Sequence, residues 1–241
     1  YRVRGTAKHT ADLARSNYYH RLGADCMVRG DYEKAIDYLD KAEIERSGDD
    51  VRVLLDRAWC LFYLGRYEAA GGHFFRAVSR PLVSSIWTPR ERRSIRRHFA
   101  EGLHGSARCA YFQGEYEKAE SLLLAAIQGN ELYPLAMCSH AASDCRRDHT
   151  AWLLLGWCRF NRGAYAAARE AFTTSLDLAA ANPEAWLGIG WCDYYLGCYG
   201  KVSHAVTKGL RRGGDPAAFR QLEAALASTR SATPAAPPLY E

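Results

Sequence analysis

The sequence lacks the segments and motifs that would place it in a membrane or assign it to a reaction. Its longest apolar runs, such as SLLLAAI at 121–127, are well short of the ~18 residues that span a bilayer. It contains no Gly-rich phosphate loop and no H-E-x-x-H, G-x-S-x-G or C-x-x-C-H motif. We therefore expect a protein without a membrane span, a cofactor or a catalytic site.

A strong excess of one charge is also missing. The 241 residues carry a net charge of +5, with a pI of about 8.8. A domain pI above about 9 would by itself indicate nucleic-acid binding, so nucleic acid is not the partner we expect. The chain begins at Tyr1, without a methionine or an apolar leader. We expect a fragment or a processed product, whose compartment the sequence leaves open.

A short sequence pattern recurs along the chain at a nearly fixed distance. Gly156-Trp157-Cys158 returns as Gly190-Trp191-Cys192, 34 residues later. A Gly-x-Tyr triplet occurs five times, at spacings of 35, 49, 49 and 34 residues, and each long spacing equals 34 plus an insert of 15. Each triplet lies between two stretches with helical apolar periodicity. The triplets begin at Gly30, Gly65, Gly114, Gly163 and Gly197.

This arrangement of a helix, a Gly turn and a second helix at a period near 34 resembles the tetratricopeptide repeat (TPR). When each repeat is numbered from its first residue, small residues occupy positions 8 and 20, where paired helices of this family cross most closely. The resemblance covers roughly residues 16–216 and implies an all-α, right-handed superhelical solenoid. Position 8 holds Gly23, Ala58, Ala107, Gly156 and Gly190, position 20 holds Ala35, Ala70, Ala119, Ala168 and Val202, and position 24 holds Leu39, Phe74, Leu123, Phe172 and Val206.

The resemblance implies about five helix hairpins and a C-terminal capping helix. One hairpin cannot bury its apolar face alone, so neighbouring hairpins must stack, and the end of the array needs a polar outer face. Residues 1–15 are expected to form a leader or a partial helix, and the Ala/Pro-rich residues 231–241 a flexible tail. The array is expected at 16–230, with repeats at about 16–49, 51–84, 100–133, 149–182 and 183–216, a cap at 217–230, and inserts at about 85–99 and 134–148.

Four of the eight cysteines share position 10 of the first helix. Equivalent residues of stacked repeats should lie about 10 Å apart, beyond the ~7 Å between Cα atoms that a disulfide allows. We expect these cysteines to be free and to fill small apolar spaces. Unpaired thiols at this density favour a reducing compartment, and hence a cytoplasmic location. The four are Cys60, Cys109, Cys158 and Cys192.

The stretch CSHAASDCRRDH at 138–149 is a weak candidate for a metal site. Cys138, His140, Cys145 and His149 are zinc-ligand residue types, but their spacing, C-x-H-x4-C-x3-H, fits known sites loosely. A disulfide between Cys138 and Cys145 is an alternative in an oxidising compartment. We favour a loop with free thiols and solvated histidines, and expect no metal.

The inner surface of the array is the main candidate for partner binding. In this family, positions 2, 5, 9, 12 and 13 of the first helices line the concave side, and here they carry ten aromatic residues. Contiguous apolar patches mark partner sites, and Trp and Tyr dominate binding hot spots. The alternative is that positions 12 and 13 turn against the next repeat, which would put half of these rings in the core. The candidate partner-binding residues are Trp59, Phe62, Tyr63, Arg108, Tyr111, Phe112, Trp157, Phe160, Trp191, Tyr194 and Tyr195.

One known use of this surface is not expected. The resemblance implies that chaperone-binding members hold a C-terminal carboxylate with Lys at position 5, Asn at position 9 and an Arg nearby. Repeat one has His20 and Ala24 at these positions, and no other repeat restores the Lys/Asn pair. We therefore expect this carboxylate clamp to be missing.

A basic patch precedes the third repeat. The stretch TPRERRSIRRHF at 88–99 predicts a helix capped by Thr88 with Pro89 at its first position. Like charges four residues apart repel each other, which makes the patch a candidate for binding an acidic partner or a phosphate. The alternative, a solvated helix extension, is the one we favour. The basic patch consists of Arg90, Arg92, Arg93, Arg96 and Arg97.

These observations predict a non-catalytic protein–protein interaction scaffold that binds a peptide or a partner subunit within a larger assembly. Two alternatives remain. An envelope scaffold for polysaccharide or pilus secretion would use the same aromatic surface. A phosphate- or RNA-binding adaptor would use the basic patch. The cysteine usage favours the first interpretation over the envelope scaffold.

Overall fold

The computed structural model describes residues 2–45, 50–79, 89–128 and 148–229, and the side chains within 10–45, 50–79, 97–127 and 148–229. Every secondary-structure element assigned in these ranges is an α-helix, which confirms the predicted fold class. None of the described helices is both long enough and apolar enough to cross a bilayer.

The helices follow one another in pairs, and the members of each of the first five pairs are joined by a three-residue turn. They are α1 Arg2–Val28, α2 Tyr32–Glu45, α3 Val51–Tyr63, α4 Tyr67–Val78, α5 Pro89–Phe112, α6 Tyr116–Gln128, α7 His149–Asn161, α8 Tyr165–Leu178, α9 Pro183–Tyr195, α10 Tyr199–Arg211 and α11 Pro216–Ser228.

The recurring glycine ends the first helix of each pair. At Gly163 the backbone has φ +77°, in the left-handed region that glycine adopts without steric cost. The amide of Gly163 donates to the carbonyl of Phe160 at 2.9 Å, and the amide of Ala164 donates to Arg159 at 2.9 Å. This is the hydrogen-bond pattern that closes a helix C-terminus. The glycines at 30, 65, 114 and 197 have φ between +73° and +79°.

The helices form two layers. The first helices of successive hairpins contact one another, from α1 to α3 and onward to α11. Each second helix, from α2 to α10, contacts the first helix before it and the first helix after it. Among the described residues, successive second helices do not contact each other. The first helices therefore form the inner layer and the second helices the outer layer.

Close packing between the layers depends on small residues. The predicted small residues at positions 8 and 20 with a side chain, such as Ala58, Ala107 and Ala168, are completely buried. At Gly156 an added Cβ would lie 2.5 Å from the ring of Phe172, and at Gly188 it would lie 2.5 Å from the same ring. The Phe172 ring is therefore held between two helices that approach closely because both lack a side chain at the contact.

The four cysteines at position 10 fill the core as predicted. Each is at most 1% exposed and none is in a disulfide. Burial raises the pKa of the thiols of Cys60, Cys109 and Cys158 to about 12 and also raises the pKa of Cys192. These thiols remain neutral and behave as small apolar side chains.

The ends of the described array differ from its middle. Helix α1 begins at Arg2 and continues through the predicted leader. Helix α11 is capped by Asp215, whose carboxylate accepts from the amide of Ala217 at 2.9 Å, and it buries Phe219 and Leu222 while its other face is exposed. Helix α5 begins at Pro89, as predicted. The repeat boundaries stay a prediction. Residues 89–99 of the first predicted insert belong to α5, whereas residues 85–88, residues 134–147 of the second insert and the tail at 231–241 lie outside the described residues.

Candidate functional site

The predicted partner-binding residues divide into a buried group and an accessible group. Six of the eleven are at most 6% exposed: Phe62, Tyr111, Trp157, Phe160, Trp191 and Tyr194. The other five retain accessible surface: Trp59, Tyr63, Arg108, Phe112 and Tyr195. A buried ring contacts a partner only if the repeats open, so the accessible group is the part of the prediction that an intact array can use.

Every position-12 ring is buried because it lies between its own hairpin and the next one. The Phe160 ring, for example, is 5.6 Å from Trp157, 5.3 Å from Tyr165 and 5.7 Å from Tyr195 of the following hairpin, measured between ring centroids. Edge-to-face contacts of this kind stabilise a core. Position 12 thus follows the alternative interpretation, in which these rings turn against the next repeat.

Stacked rings connect neighbouring hairpins along the turn side of the array. In each stack, the tyrosine that begins a second helix lies against the ring that ends the next first helix. Tyr165 and Tyr195 are 4.7 Å apart with an interplanar angle of 11°. The equivalent pairs are Tyr32–Tyr63 at 5.0 Å and Tyr67–Phe112 at 5.1 Å.

The stacking pattern is interrupted between α6 and α7. The residue expected to stack on Tyr116 is Asn161, whose side-chain amide donates to the hydroxyl of Tyr111 and to the carbonyl of Trp157, both at 3.0 Å. Position 9 also changes in the preceding hairpin, where Arg108 occupies the place taken by Trp59 and Trp157 elsewhere. This junction therefore lacks two rings that the neighbouring junctions have.

A cavity of about 470 Å³ lies next to this interruption. We call it the central cavity. It lies on the inner layer, between α5, α7 and the start of α9. Its lining includes His104, Arg108 and Phe112 from α5, Leu153 and Leu154 from α7, and Pro183 at the start of α9. The cavity combines apolar walls with the guanidinium group of Arg108 and, at its rim, the carboxylate of Glu184, the composition of an amphipathic binding site.

Arg108 is held in place by aromatic rings. Its guanidinium carbon lies 4.9 Å from the ring centroid of Phe62 and 5.7 Å from that of Trp59, within the range of cation–π attraction. The indole nitrogen of Trp59 donates to Glu101 at 2.9 Å. No carboxylate among the described residues forms an ion pair with Arg108. The guanidinium donors are therefore available to a ligand.

His104 is a polar but neutral part of the lining. The pKa of His104 is lowered from 6.5 to about 4, mainly by burial; Asp148 opposes the shift and Arg108 contributes to it. At neutral pH the imidazole is uncharged and offers one donor and one acceptor. Arg108, in contrast, contributes a guanidinium group with planar N–H donors.

One amide in the first turn of each helix at the cavity rim already has a side-chain hydrogen-bond partner. At the start of α7, Asp148 accepts from the amide of Thr150 at 2.9 Å and from its hydroxyl at 2.6 Å. At the start of α9, Asn182 accepts from the amide of Glu184 at 3.0 Å. These caps leave the Arg108 guanidinium as the charged donor that the cavity offers.

The other candidate sites fall mainly on residues that the structure does not describe. In the basic patch, Arg97 is exposed on α5, whereas the side chains at 90, 92, 93 and 96 lie outside the described residues. Cys138, His140 and Cys145 of the weak metal candidate lie outside them too, and His149 lines the central cavity. Within the described ranges, no three metal-ligating side chains cluster.

The chaperone-type clamp positions of repeat one are occupied by an internal contact. The imidazole of His20 lies 2.7 Å from a carboxylate oxygen of Asp56 in α3. Of the lining residues, Arg108 and Phe112 were predicted partner-binding residues, and His104 and Leu153 hold position 5, which was predicted to face the concave side. Leu154 and Pro183 hold positions 6 and 1, which were not predicted to face it. A usable signal was present, because Arg108 and Asn161 both depart from the residues that neighbouring repeats carry at the same positions.

Comparison with known proteins gives the same repeat type. A family model described as Tetratricopeptide repeat matches residues 21–81 and 104–183, more than half of the chain. An uncharacterized protein of Methanocaldococcus jannaschii is 35% identical over 68 residues, which are 28% of this chain and 78% of that protein.

Several solved structures are similar over most of their length. MamA from Desulfovibrio magneticus RS-1 superposes with a TM-score of 0.63 and 16% identity, over 83% of this chain and 95% of that one. PilF of Pseudomonas aeruginosa superposes with a TM-score of 0.66 and 19% identity, over 92% of this chain and 86% of that one. YrrB is described as a TPR protein with an unusual peptide-binding site. It superposes with a TM-score of 0.60 and 14% identity, over 86% of this chain and 90% of that one. At these identities the similarity concerns the fold alone.

Proposed function

The chain belongs to the tetratricopeptide-repeat family, and we propose that it is a non-catalytic scaffold that binds an extended peptide segment of a partner protein in the central cavity. Repeats of this family build scaffolds for protein–protein interaction. The proposal concerns where this chain binds and what kind of segment it takes.

The observation that carries the proposal is the interruption of the aromatic packing at the junction of α5–α6 with α7–α8. At the two neighbouring junctions, a position-9 tryptophan and a stacked pair of rings close the space between hairpins. Here Arg108 and Asn161 replace them, and a cavity of about 470 Å³ lies beside them. A cavity of this size accommodates a few side chains of an extended peptide.

The accessible aromatic residues extend this surface. Phe112 lines the cavity and stacks on Tyr67, so its ring is already ordered before a partner arrives. Tyr63 is 55% exposed and stacks on Tyr32. Rings held in one orientation lose little conformational entropy on binding, which makes them suitable anchors. YrrB, which has a similar fold, is described as having a peptide-binding site.

The two alternative functions receive less support. Sugar stacking by an envelope scaffold requires exposed aromatic faces, yet six of the candidate residues are buried. An adaptor that binds through the basic patch depends mostly on side chains outside the described residues. We therefore do not propose either function.

Selection of peptides followed by a cavity-blocking substitution tests the proposal. A random decapeptide display library would be selected against the chain, and synthetic copies of the enriched peptides would be measured by fluorescence anisotropy. Thr150 lines the cavity, so Thr150→Trp should fill part of it and weaken binding at least tenfold. Thr173→Trp, on the exposed side of α8, is the matched control and should leave affinity unchanged.

Circular dichroism and thermal unfolding of both variants should match those of the parent chain. If the enriched peptides bind Thr150→Trp and the parent equally well, or if no peptide is enriched, the proposed site is wrong.

A further inference from the structure

We propose that the segment bound in the central cavity carries an aspartate or glutamate side chain that pairs with Arg108, next to an apolar residue. This inference rests on the proposed function, because it specifies the chemistry of the bound segment.

Arg108 differs from the other half-buried arginines of the described array, because each of those forms an ion pair with a carboxylate. Arg57 lies 2.7 Å from Asp40, Arg159 lies 2.8 Å from Glu120, and Arg169 lies 2.7 Å from Asp193. A guanidinium taken partly out of water needs hydrogen-bond acceptors to offset the lost hydration. Arg108 is equally half-buried and has no such partner among the described residues.

In addition, the Arg108 guanidinium is already oriented. The Phe62 and Trp59 rings lie against it, and Glu101, on the same helix, accepts a hydrogen bond from Trp59. An arginine fixed in this way presents its planar donors to a carboxylate with little further loss of rotamer freedom. Bidentate pairing of this type is among the stronger polar contacts in proteins.

The lining also predicts the neighbours of the acidic residue. Phe112, Leu153, Leu154 and Pro183 offer apolar surface beside Arg108. An extended segment alternates the directions of its side chains. An acidic residue pointing at Arg108 would therefore have an apolar side chain one or two positions away to cover these walls.

An acidic side chain fits the cavity better than a chain terminus does. Capture of a C-terminal carboxylate uses a group of free backbone amides or several cations. At the cavity rim the amides of Thr150 and Glu184 are already bonded to Asp148 and Asn182. Arg108 supplies the guanidinium group among the described lining residues, which matches one side-chain carboxylate.

A carboxylate also fits better than a phosphate group. A phosphate carries about −1.5 to −2 charges at neutral pH and usually binds to more than one cation. His104 does not supply the second charge, because burial lowers its pKa to about 4. A single negative charge is therefore the better match for the cavity.

A double-mutant cycle between the protein and the peptide tests the inference. Enriched decapeptides, acetylated and amidated so that neither terminus is charged, should contain Asp or Glu. Replacing that residue by Asn or Gln should weaken binding to the parent chain about 10- to 100-fold. The Arg108→Met variant should bind the acidic peptide more weakly than the parent chain does, by a similar factor. It should bind the acidic and amide peptides with equal affinity. Arg97→Met, an exposed position on the same helix, is the matched control and should retain the parent's preference.

Three results separate the outcomes. If the amide peptide binds the parent as tightly as the acidic one, the inference is wrong even if Arg108→Met fails to fold. If a phosphoserine peptide binds more tightly than the aspartate peptide, the site recognises phosphate and the inference is also overturned. In both cases, loss of binding in Thr150→Trp would leave the proposed function intact. If the enriched peptides bind the Thr150→Trp variant and the parent chain with equal affinity, the proposed function is refuted, and this inference with it.

Discussion

Two neighbouring junctions of the array use the same backbone plan but different side chains. Where α7–α8 meets α9–α10, Trp157 packs on Phe172 at 5.0 Å and Tyr165 stacks on Tyr195. Where α5–α6 meets α7–α8, Arg108 and Leu123 replace the Trp and Phe, and Asn161 replaces the stacking ring. The first junction is closed by rings, and the second borders the central cavity. A repeat protein can thus acquire a cavity by omitting core residues at one junction.

The difference extends to the glycines that receive the rings. Phe74 and Phe172 occupy position 24, and the next repeats carry Gly105 and Gly188 at position 6, where a Cβ would lie 2.5 Å from the respective ring. After Leu123, the same position holds Leu154, which lines the cavity. The size of the ring and the absence of a side chain on the next repeat are therefore matched across each junction.

The largest effect is expected from disturbing the closed junction. Gly188→Ala places a methyl group 2.5 Å from the ring of Phe172, which is enclosed on both sides. We expect the free energy of unfolding to fall by about 2–3 kcal/mol, measured by urea denaturation. Gly72→Ala is the control, because nothing lies within 4 Å of its added Cβ. That change should raise stability by up to about 1 kcal/mol through helix propensity.

A second substitution shows whether the ring causes the loss. Phe172→Leu in the Gly188→Ala background gives this junction the smaller residue found at Leu123. We expect the double variant to be more stable than the sum of the two single effects predicts, by at least about 1 kcal/mol. Simple additivity would mean that the contact between Gly188 and Phe172 does not limit the packing.

The next effect concerns the ring stack. Tyr195→Asn gives the closed junction, between α7–α8 and α9–α10, an asparagine at position 13. The open junction, between α5–α6 and α7–α8, has Asn161 at the same position. We expect a loss of about 1–2 kcal/mol, because the stack on Tyr165 and part of the buried ring area are lost. Tyr199→Asn is the control, since Tyr199 is 45% exposed and has no stacked ring among the described residues. Equal losses at both positions would argue against a specific role of the stack.

A smaller, pH-dependent effect is expected at the central cavity. The pKa of His104 is about 4 in the folded chain, below its ordinary value of 6.5. Its contribution to stability is therefore present above pH 6.5 and is lost as the pH falls towards 4. The free energy of unfolding of the His104→Gln variant should fall less between pH 7 and pH 4.5 than that of the parent chain. The control variant His204→Gln, at an exposed position, should show the same pH dependence as the parent chain. Identical profiles for His104→Gln and the parent would contradict the pKa shift.

The smallest effect is a difference in local opening between the junctions. Cys158 and Cys192 are both completely buried, and burial raises the pKa of both thiols, so each is alkylated only when its surroundings open. Cys158 lies near Glu120 at the open junction, and Cys192 lies near Arg169 at the closed one. We expect iodoacetamide to label Cys158 a few-fold faster in low urea. Equal rates, with partly exposed Cys198 labelled first, would indicate that the cavity does not weaken its junction.

The sequence was sufficient to predict the fold because its evidence is local and repeated. Five Gly-x-Tyr triplets, small residues at two fixed positions and helical periodicity on both sides of each turn all indicated the same hairpin. The structure confirms the hairpins, the turn glycines and the buried cysteines. Arg108 was predicted as a binding residue only as one member of an aromatic row. Its special feature is that no carboxylate among the described residues pairs with it, and this depends on how the helices around it pack.

The amino-acid sequence alone determined the repeating unit, because each turn and each helix crossing within a hairpin is specified by residues within 34 positions of one another. The tertiary structure decided which rings are accessible. A position-12 ring such as Phe160 is buried against a ring of the next hairpin, and a position-24 ring such as Phe172 is buried against the glycine that the next repeat carries at position 6. That information lies on a different hairpin, and it acts only when the hairpins are in contact.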